Sequence, residues 1–194
     1  MSLKGRVAIV TGATGGIGFE VAAELASRGA TVVACSRRLA DAQGVAKKIG
    51  GGARGAELDI GSTASVRAFA KRLTTSEHGG RIDILVNNAG YPFKRDIWYK
   101  RLHEVTDAEL ESVMQVDLIG TFRLTRAVIP LMLRNNNKNG GDGREGGVII
   151  SISSTPALAG HTEGAPYTLA KAGIIAMTKH IALEYGRDSI RVYT

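Results

Sequence analysis

Two sets of residues in this sequence could do chemistry. The first is a phenol with an ammonium one helical turn away. Tyr167 and Lys171 stand four residues apart in Tyr-Thr-Leu-Ala-Lys, so on a helix they share one face. An ammonium beside a phenol favours the phenolate over the ordinary acid of pKa ~10. Such a tyrosine can give a proton to a carbonyl oxygen or take one from an alcohol near neutral pH. The pair alone is weak evidence, because Tyr-x-x-x-Lys arises by chance in many helices. The second set is the glycine run Thr-Gly-Ala-Thr-Gly-Gly-Ile-Gly at 11–18. Glycines there allow a tight turn and let a pyrophosphate approach backbone N–H groups, while the following helix aims its positive end at the anion. The spacing, with Gly12, Gly16 and Gly18, is not the common Gly-x-Gly-x-x-Gly fingerprint, and no P-loop lysine follows, which argues against an ATPase.

The elements that must position these residues alternate along the chain. Val7 to Thr11 is an apolar run that reads as a buried strand. Ile17, Val21, Ala22 and Leu25 have helical spacing and Gly29 stops that helix. Thr31 to Cys35 reads as a second strand, Leu39 to Ile49 as a helix, and Gly55 to Ile60 as a weak third strand. Ser62 caps a helix to about Ser76. Further strands are predicted at Ile82 to Val86 and Gly147 to Ile152, and a helix at Tyr167 to Tyr185 interrupted only by Gly173. Two segments read as long loops: Tyr91 to Val105, polar and aromatic at the ligand-binding end of a strand, where it is expected to shape a substrate entrance, and the polar stretch Asn135 to Gly147, taken as solvated. Strands alternating with helices imply βαβ units and a doubly wound, Rossmann-like parallel sheet, in one domain over 1–194.

Composition excludes several classes. With 44% hydrophobic and 22% charged residues the chain has the makings of a globular core, so it is not disordered. The lone Cys35 rules out an intramolecular disulfide and reads as a small buried residue, and with four scattered histidines no zinc spacing exists. No apolar run is long enough for a membrane span and no signal pattern opens the chain, so a cytoplasmic location is expected. The net charge of +7 is spread along the chain, densest at Arg37-Arg38, Lys47-Lys48 and Lys94 to Arg101. It reads as a solvated basic surface, with attraction of an anionic cofactor or acidic carrier as the functional alternative and nucleic-acid binding as a remoter one.

Three further segments stand in order with the glycine run: Asn87-Asn88-Ala89-Gly90 closing the fourth strand, Ser154 after the fifth, and Tyr167 to Lys171 opening a helix. Together the four resemble the short-chain dehydrogenase/reductases of the compact kind, over essentially the whole chain. The resemblance implies a sheet ordered 3-2-1-4-5-6 and hydride transfer between a nicotinamide cofactor and a small carbonyl or alcohol. Tyr167 would be the proton donor or acceptor. Ser154 would donate a second hydrogen bond to the oxygen that gains charge, and Lys171 would act on both tyrosine and cofactor ribose. Gly12, Thr14 and Ile17 would line the pyrophosphate, Asp59 would meet the adenine with Ile60 against the ring, and Asn88, Ala89 and Gly90 would contact the ribose region. The second strand ends Cys35-Ser36-Arg37-Arg38, with no acid to bind a ribose 2′-hydroxyl and two guanidiniums suited to a 2′-phosphate, which favours NADP(H) over NAD(H). Homo-oligomerisation is also implied.

The chain departs from the family twice. Asp117 stands where a fourth catalytic residue, an asparagine, is usual. A carboxylate still accepts hydrogen bonds but, ionised, cannot donate them, and it would oppose the Lys171 charge. The chain also ends at Thr194, where a sixth strand is due to begin and where relatives continue into a substrate lid and a seventh strand. A C-terminally incomplete domain is therefore expected, with a non-catalytic nucleotide-binding or scaffold role as the alternative to an enzyme.

Overall fold

The computed structural model describes residues 2–75, 80–138 and 146–194. The chain alternates strands β1 (Val7–Thr11), β2 (Thr31–Ser36), β3 (Arg54–Glu57), β4 (Ile84–Asn87), β5 (Gly147–Ser151) and β6 (Ile190–Tyr193) with helices. These are α1 (Gly16–Ser27), α2 (Leu39–Ile49), α3 (Thr63–Thr74), the single turn α4 (Arg95–Trp98), α5 (Asp107–Asp117), α6 (Ile119–Lys138), the single turn α7 (Pro156–Ala159) and α8 (Ala165–Tyr185). All strand pairs are parallel, in the order β3-β2-β1-β4-β5-β6. The sheet order expected from the resemblance is therefore the one observed, and the sixth strand is present: β6 pairs with β5 from Gly147↔Ile190 to Ile150↔Tyr193.

Alternate residues of the central strands feed two cores, which is why these strands read as continuous apolar runs. Ile9, Leu85 and Ile149 point to the face covered by α3, α6 and α8, where Phe69, Leu124, Met132 and Ile181 pack. Ala8, Val10, Val32 and Val86 point to the other face, against Ala22 of α1 and Val45 of α2. Small side chains on that second face bring the two cofactor-side helices close to the sheet. Cys35 is 1% exposed, and its burial pushes the thiol well above its ordinary range, as expected for an inert packing residue.

Element ends differ from the sequence reading where polar side chains intervene. β3 stops at Glu57, because residues 58–60 turn away: Gly61 N–H donates to the Asp59 carboxylate at 2.9 Å. Leu58 N–H still reaches Ser36 O at 2.8 Å. α3 is capped by Ser62, as predicted, its hydroxyl accepting from Ser65 N at 3.2 Å. α8 begins two residues early, at Ala165, behind Gly164 in left-handed conformation (φ 67) with proline in the first turn. The expected loop from Asn135 is helical as far as Lys138. Asn135 is 3% exposed and its amide donates to Ile82 O at 2.8 Å, which anchors the end of α6 to the sheet. The rest of that expected loop, 139–145, lies outside the described residues. The other expected loop, 91–105, contains α4 and a 3-10 turn at Leu102–Glu104. It is tied to α5 through the Lys100–Glu109 ion pair at 2.6 Å and the Thr106–Glu109 capping box.

Asp83 is the polar anchor at the start of β4. Burial opposes its ionisation, yet bonds from Arg81, from Val7 N (2.8 Å) and from Arg6 (2.9 Å) outweigh it and hold the carboxyl below its ordinary value. Its contribution to stability is thus present above the unfolded carboxyl's pKa and fades as pH falls through the lower folded value. Asp83→Asn is expected to lower unfolding stability by about 1–3 kcal/mol at neutral pH, measured by urea titration. The difference from the parent protein should shrink at strongly acid pH. A constant difference across pH would rule out the charge as its cause.

Candidate functional site

The glycine turn is held by a staple between the C-terminal ends of β1 and β4. The Thr11 hydroxyl accepts from Asn88 N at 3.0 Å and Ala89 N at 2.9 Å, and donates to Val86 O at 3.3 Å. In return the Asn88 amide donates to Thr11 O at 3.0 Å and Gly12 O at 3.2 Å. The space inside is minimal. A Cβ on Gly18 would sit 2.3 Å from Gly12 O and 2.4 Å from Asn88 Nδ2. Gly12 has φ 64, and a Cβ there would meet the Ala89 backbone at 2.9 Å. Gly16 faces open space but has φ 52, so its requirement is conformational. No acidic residue occupies the first turn of α1 to compete for its positive end.

A cleft of about 1120 Å³ opens at this edge of the sheet. Most of the predicted cofactor residues line it: Gly12 and Thr14 from the turn, Ser36, Arg37 and Arg38 beyond β2, Asp59 and Ile60 beyond β3, and Asn88, Ala89 and Gly90 beyond β4. Gly16, Ile17 and Gly18 do not line it; they form the adjoining first turn of α1, with Ile17 63% exposed. The two arginines differ. Arg38 pairs with Asp41 at 2.6 Å, in the first turn of α2. Arg37 is exposed and makes no ion pair among the described residues. Asp59 already uses one carboxylate oxygen to hold its own turn.

The proposed proton-transfer residues converge at the other end of the sheet edge. Lys171 is 5% exposed, and its ammonium donates to Ile152 O at 2.8 Å while lying 5.5 Å from the Tyr167 ring centroid. The Ser153 hydroxyl donates to Lys171 O at 2.9 Å, so the segment leading to Ser154 is bonded to the α8 backbone beside the pair. Ser154 is half-buried, with its carbonyl accepting from Ala157 N to start α7. Asp117 ends α5, 1% exposed. Its carboxylate accepts from Tyr91 N through Oδ1, and Oδ2 has no partner. Burial raises its pKa, against the lowering influence of the Tyr91 N–H and the Lys171 charge. Burial likewise pulls Lys171 down, and Asp117 opposes that fall. The two groups come together because Gly173 lets α8 press on the helix break at Leu118: a Cβ on Gly173 would sit 2.6 Å from a Leu118 methyl.

Several contacts at the site were invisible in the sequence. Asn87 is buried, its amide donating to Thr125 Oγ1 at 3.0 Å and Ser151 Oγ at 3.1 Å, so it joins β4 to α6 and β5. Trp98 stands 5.3 Å from the Tyr167 ring centroid, its indole donates to Glu163 at 3.0 Å, and its carbonyl accepts from Gly164 N at 2.8 Å. It roofs a second cavity, of about 280 Å³, that Tyr167 lines together with Tyr91, Pro92, Phe93 and Lys94. The sequence singled out the aromatic loop after β4 but not the part Trp98 plays in it, because its partners Glu163, Gly164 and Tyr167 come from a distant segment.

Comparison with known proteins agrees with this arrangement. The short chain dehydrogenase family profile matches residues 6–194. The chain is 36% identical over 194 residues to a 3-oxoacyl-[acyl-carrier-protein] reductase of Vibrio cholerae, covering all of this chain and 73% of that protein. It is equally identical to the 3-hydroxyacyl-CoA dehydrogenase type-2 of Rattus norvegicus, covering 72% of it. Among solved structures, a metagenomic short-chain oxidoreductase in complex with NADP superposes with a TM-score of 0.85 at 34% identity, over 99% of this chain and 81% of that one.

The contrast among glycines is testable without any ligand. Gly18→Ala is expected to destabilise the protein by about 1–3 kcal/mol, because a carbonyl and an amide must shift to admit the methyl. Gly44→Ala, on an exposed turn of α2 with nothing within 4 Å, should instead stabilise by about 0.5–1 kcal/mol. Urea unfolding of the two variants checks this, and equal effects of the same sign would contradict the assigned role of Gly18.

Proposed function

The chain belongs to the short-chain dehydrogenase family, and on that premise we propose that it reduces a carbonyl compound, or oxidises the matching alcohol, with NADP(H). The observation that carries this reading is Lys171, buried and bonded to Ile152 O beneath the ring of Tyr167, which itself lines a cavity at the ligand-binding edge of the sheet. A buried ammonium held this way has a use in proton transfer that a surface helix pair does not.

The cleft suits a dinucleotide. Its glycine turn leaves no room for a Cβ at Gly12 or Gly18, so an anion can approach the backbone closely. Gly12 and Thr14 would hold the pyrophosphate at the start of α1, with Gly16, Ile17 and Gly18 forming the turn that aims the helix. Ile60 would pack on the adenine and Asp59 would meet its amino group with the oxygen its turn does not use. Asn88, Ala89, Gly90 and Lys171 would contact ribose. Ser36 and Arg37 would take the 2′-phosphate, Arg37 being exposed and making no ion pair among the described residues. Arg38 is the weaker anchor, since Asp41 already neutralises it. When bound, NADPH supplies the hydride.

The chain's own residues supply the proton and the electrostatics. Tyr167 donates its phenolic proton to the substrate oxygen, and Ser154 donates a hydrogen bond to the same oxygen. Lys171 keeps a positive charge beside the phenol and stabilises the phenolate left behind. Asp117 acts on Lys171 across the buried interior, sustaining its protonation against burial. Exposed apolar side chains on α6 and α8, among them Phe122 and Leu183, support self-association of the chain.

Tyr167→Phe is expected to lower carbonyl reduction by at least about a hundredfold while leaving NADPH binding nearly intact; Lys171→Met should harm both. Turnover is followed by NADPH oxidation and binding by NADPH fluorescence. Retained turnover in Tyr167→Phe would overturn the mechanism, and binding without turnover in the parent protein would restore the non-catalytic alternative. In Asp117→Asn the negative charge that props up Lys171 is gone, so the ammonium loses its proton at lower pH and the alkaline limb of the rate profile should move toward acid. An unmoved limb would separate Asp117 from the Tyr–Lys pair.

Arg37→Asp tests the cofactor. Loss of a charge-assisted phosphate contact should weaken NADP(H) roughly ten- to a hundredfold and improve NAD(H). Equal affinity for the two cofactors before and after the change would defeat the NADP assignment.

A further inference from the structure

Building on the carbonyl-reductase reading, we propose that Tyr91 and Lys94 form a subsite for an anionic group of the substrate, and that the protein acts on compact carbonyl or alcohol compounds carrying such a group. The cavity beside Tyr167 encloses about 280 Å³. At the roughly 30 Å³ that each heavy atom of liquid water occupies, it admits on the order of ten non-hydrogen atoms. Its walls are apolar, from Pro92, Phe93, Ile97, Trp98, Val113 and Pro166. Besides Tyr167 and the Trp98 indole, the polar side chains lining it are Tyr91 and Lys94, and among the described residues no carboxylate lines it. Glu163 is turned onto the Trp98 indole at 3.0 Å. Asp96 acts on Lys94 electrostatically from outside the cavity.

The pair is built in. Tyr91 N–H is held by the buried Asp117 carboxylate, and the Ser112 hydroxyl donates to the Tyr91 hydroxyl at 3.3 Å. The Lys94 ammonium lies 5.3 Å from the Tyr91 ring centroid, and the interaction between the two side chains lowers the phenol's pKa and raises the lysine's. Both residues also line the cofactor cleft, so they stand where the two cavities meet. An anion entering an apolar-walled cavity must replace its hydration with strong donors or stay outside. An ammonium and a phenol hydroxyl are such donors, and they share the cavity with the phenol that serves the carbonyl. One element, the loop after β4, thus carries the charge selection, and α8 carries the chemistry.

The chain contains one tryptophan, Trp98, and it lines this cavity, so its fluorescence reports occupancy without turnover. The NADP⁺-loaded protein is titrated with small oxo acids and with their methyl esters, and in a parallel series with phosphorylated ketones and their dephosphorylated counterparts. The anionic member of a pair is expected to bind at least about tenfold more tightly, and preference in either series supports the subsite and identifies the anion. In Lys94→Met the acid-to-neutral ratio should fall towards one, with a smaller fall in Tyr91→Phe. Arg95→Gln, which removes a neighbouring cation that does not line the cavity, should keep the ratio. Equal affinity within both series, or a ratio that survives Lys94→Met, overturns the subsite. Failure of the underlying reading looks different: the acid preference persists in binding, yet no oxo compound is reduced.

Discussion

The Thr11 hydroxyl stands where the two halves of the sheet diverge, and the site depends on the bonds it makes there. β1 pairs with β2 on one side and β4 on the other, and the chain leaves those neighbours in opposite directions. A parallel sheet opens a crevice at such a reversal, at the carboxyl ends of its strands. Left to itself the crevice would present loose turn backbone. Thr11 and Asn88 exchange bonds across it, so the glycine turn and the 88–90 segment are fixed relative to each other. Gly18 then lets α1 begin in contact with that staple. The glycine turn, the 88–90 segment and the start of α1 are therefore one closely packed, hydrogen-bonded unit.

Lys171 and Asp117 show a different economy of charge. Each is buried, and burial alone would drive each towards its neutral form. Neither has a direct salt bridge to the other; Lys171 is satisfied by a backbone carbonyl and Asp117 by a backbone N–H. What couples them is the long reach of a Coulomb interaction where water is excluded. An asparagine in place of Asp117 would satisfy the backbone but carry no charge. The carboxylate does both. The segment it holds, at Tyr91, begins the loop that lines the cavity beside Tyr167, so the buried charge and that cavity wall meet in one hydrogen bond.

How much of this was legible follows from range. The strands and helices of the first half repeat their periods cleanly, and Ser62 announces its helix by local chemistry that the structure reproduces. The glycine turn and the 88–90 segment line one cleft because each follows a strand, and strand ends of a parallel sheet are brought together by topology alone. The misread boundaries have two kinds of cause, a distant partner or a local turn outside the apolar pattern. Asn135 looked like loop because asparagine and charge surround it, but a carbonyl at Ile82 takes its amide and the helix continues. α8 starts early because a glycine with positive φ and a proline set its first turn before the apolar pattern begins. Trp98 could not be assigned at all: its partners Glu163, Gly164 and Tyr167 are some sixty residues away in the chain.

Those failures are not scattered. The best-read segments build the sheet and the larger cleft, and the worst-read one, 91–105, supplies much of the lining of the smaller cavity beside Tyr167. A cleft that serves one cofactor can be written in short local motifs, since glycine turns and strand ends solve the same backbone problem each time. A cavity that distinguishes substrates must instead be assembled from side chains whose only common property is where they end up. In this protein the assembly is done by Trp98. The Trp98 ring stands 5.3 Å from that of Tyr167, so the cavity wall it forms and the start of α8 are packed on each other. The indole bond to Glu163 and the tight fit of Gly164, whose added Cβ would lie 2.8 Å from the ring, fix that contact from the other side. Changes of bulk at Trp98 therefore bear directly on the packing of Tyr167, whereas Lys94 is exposed and lies against Tyr91.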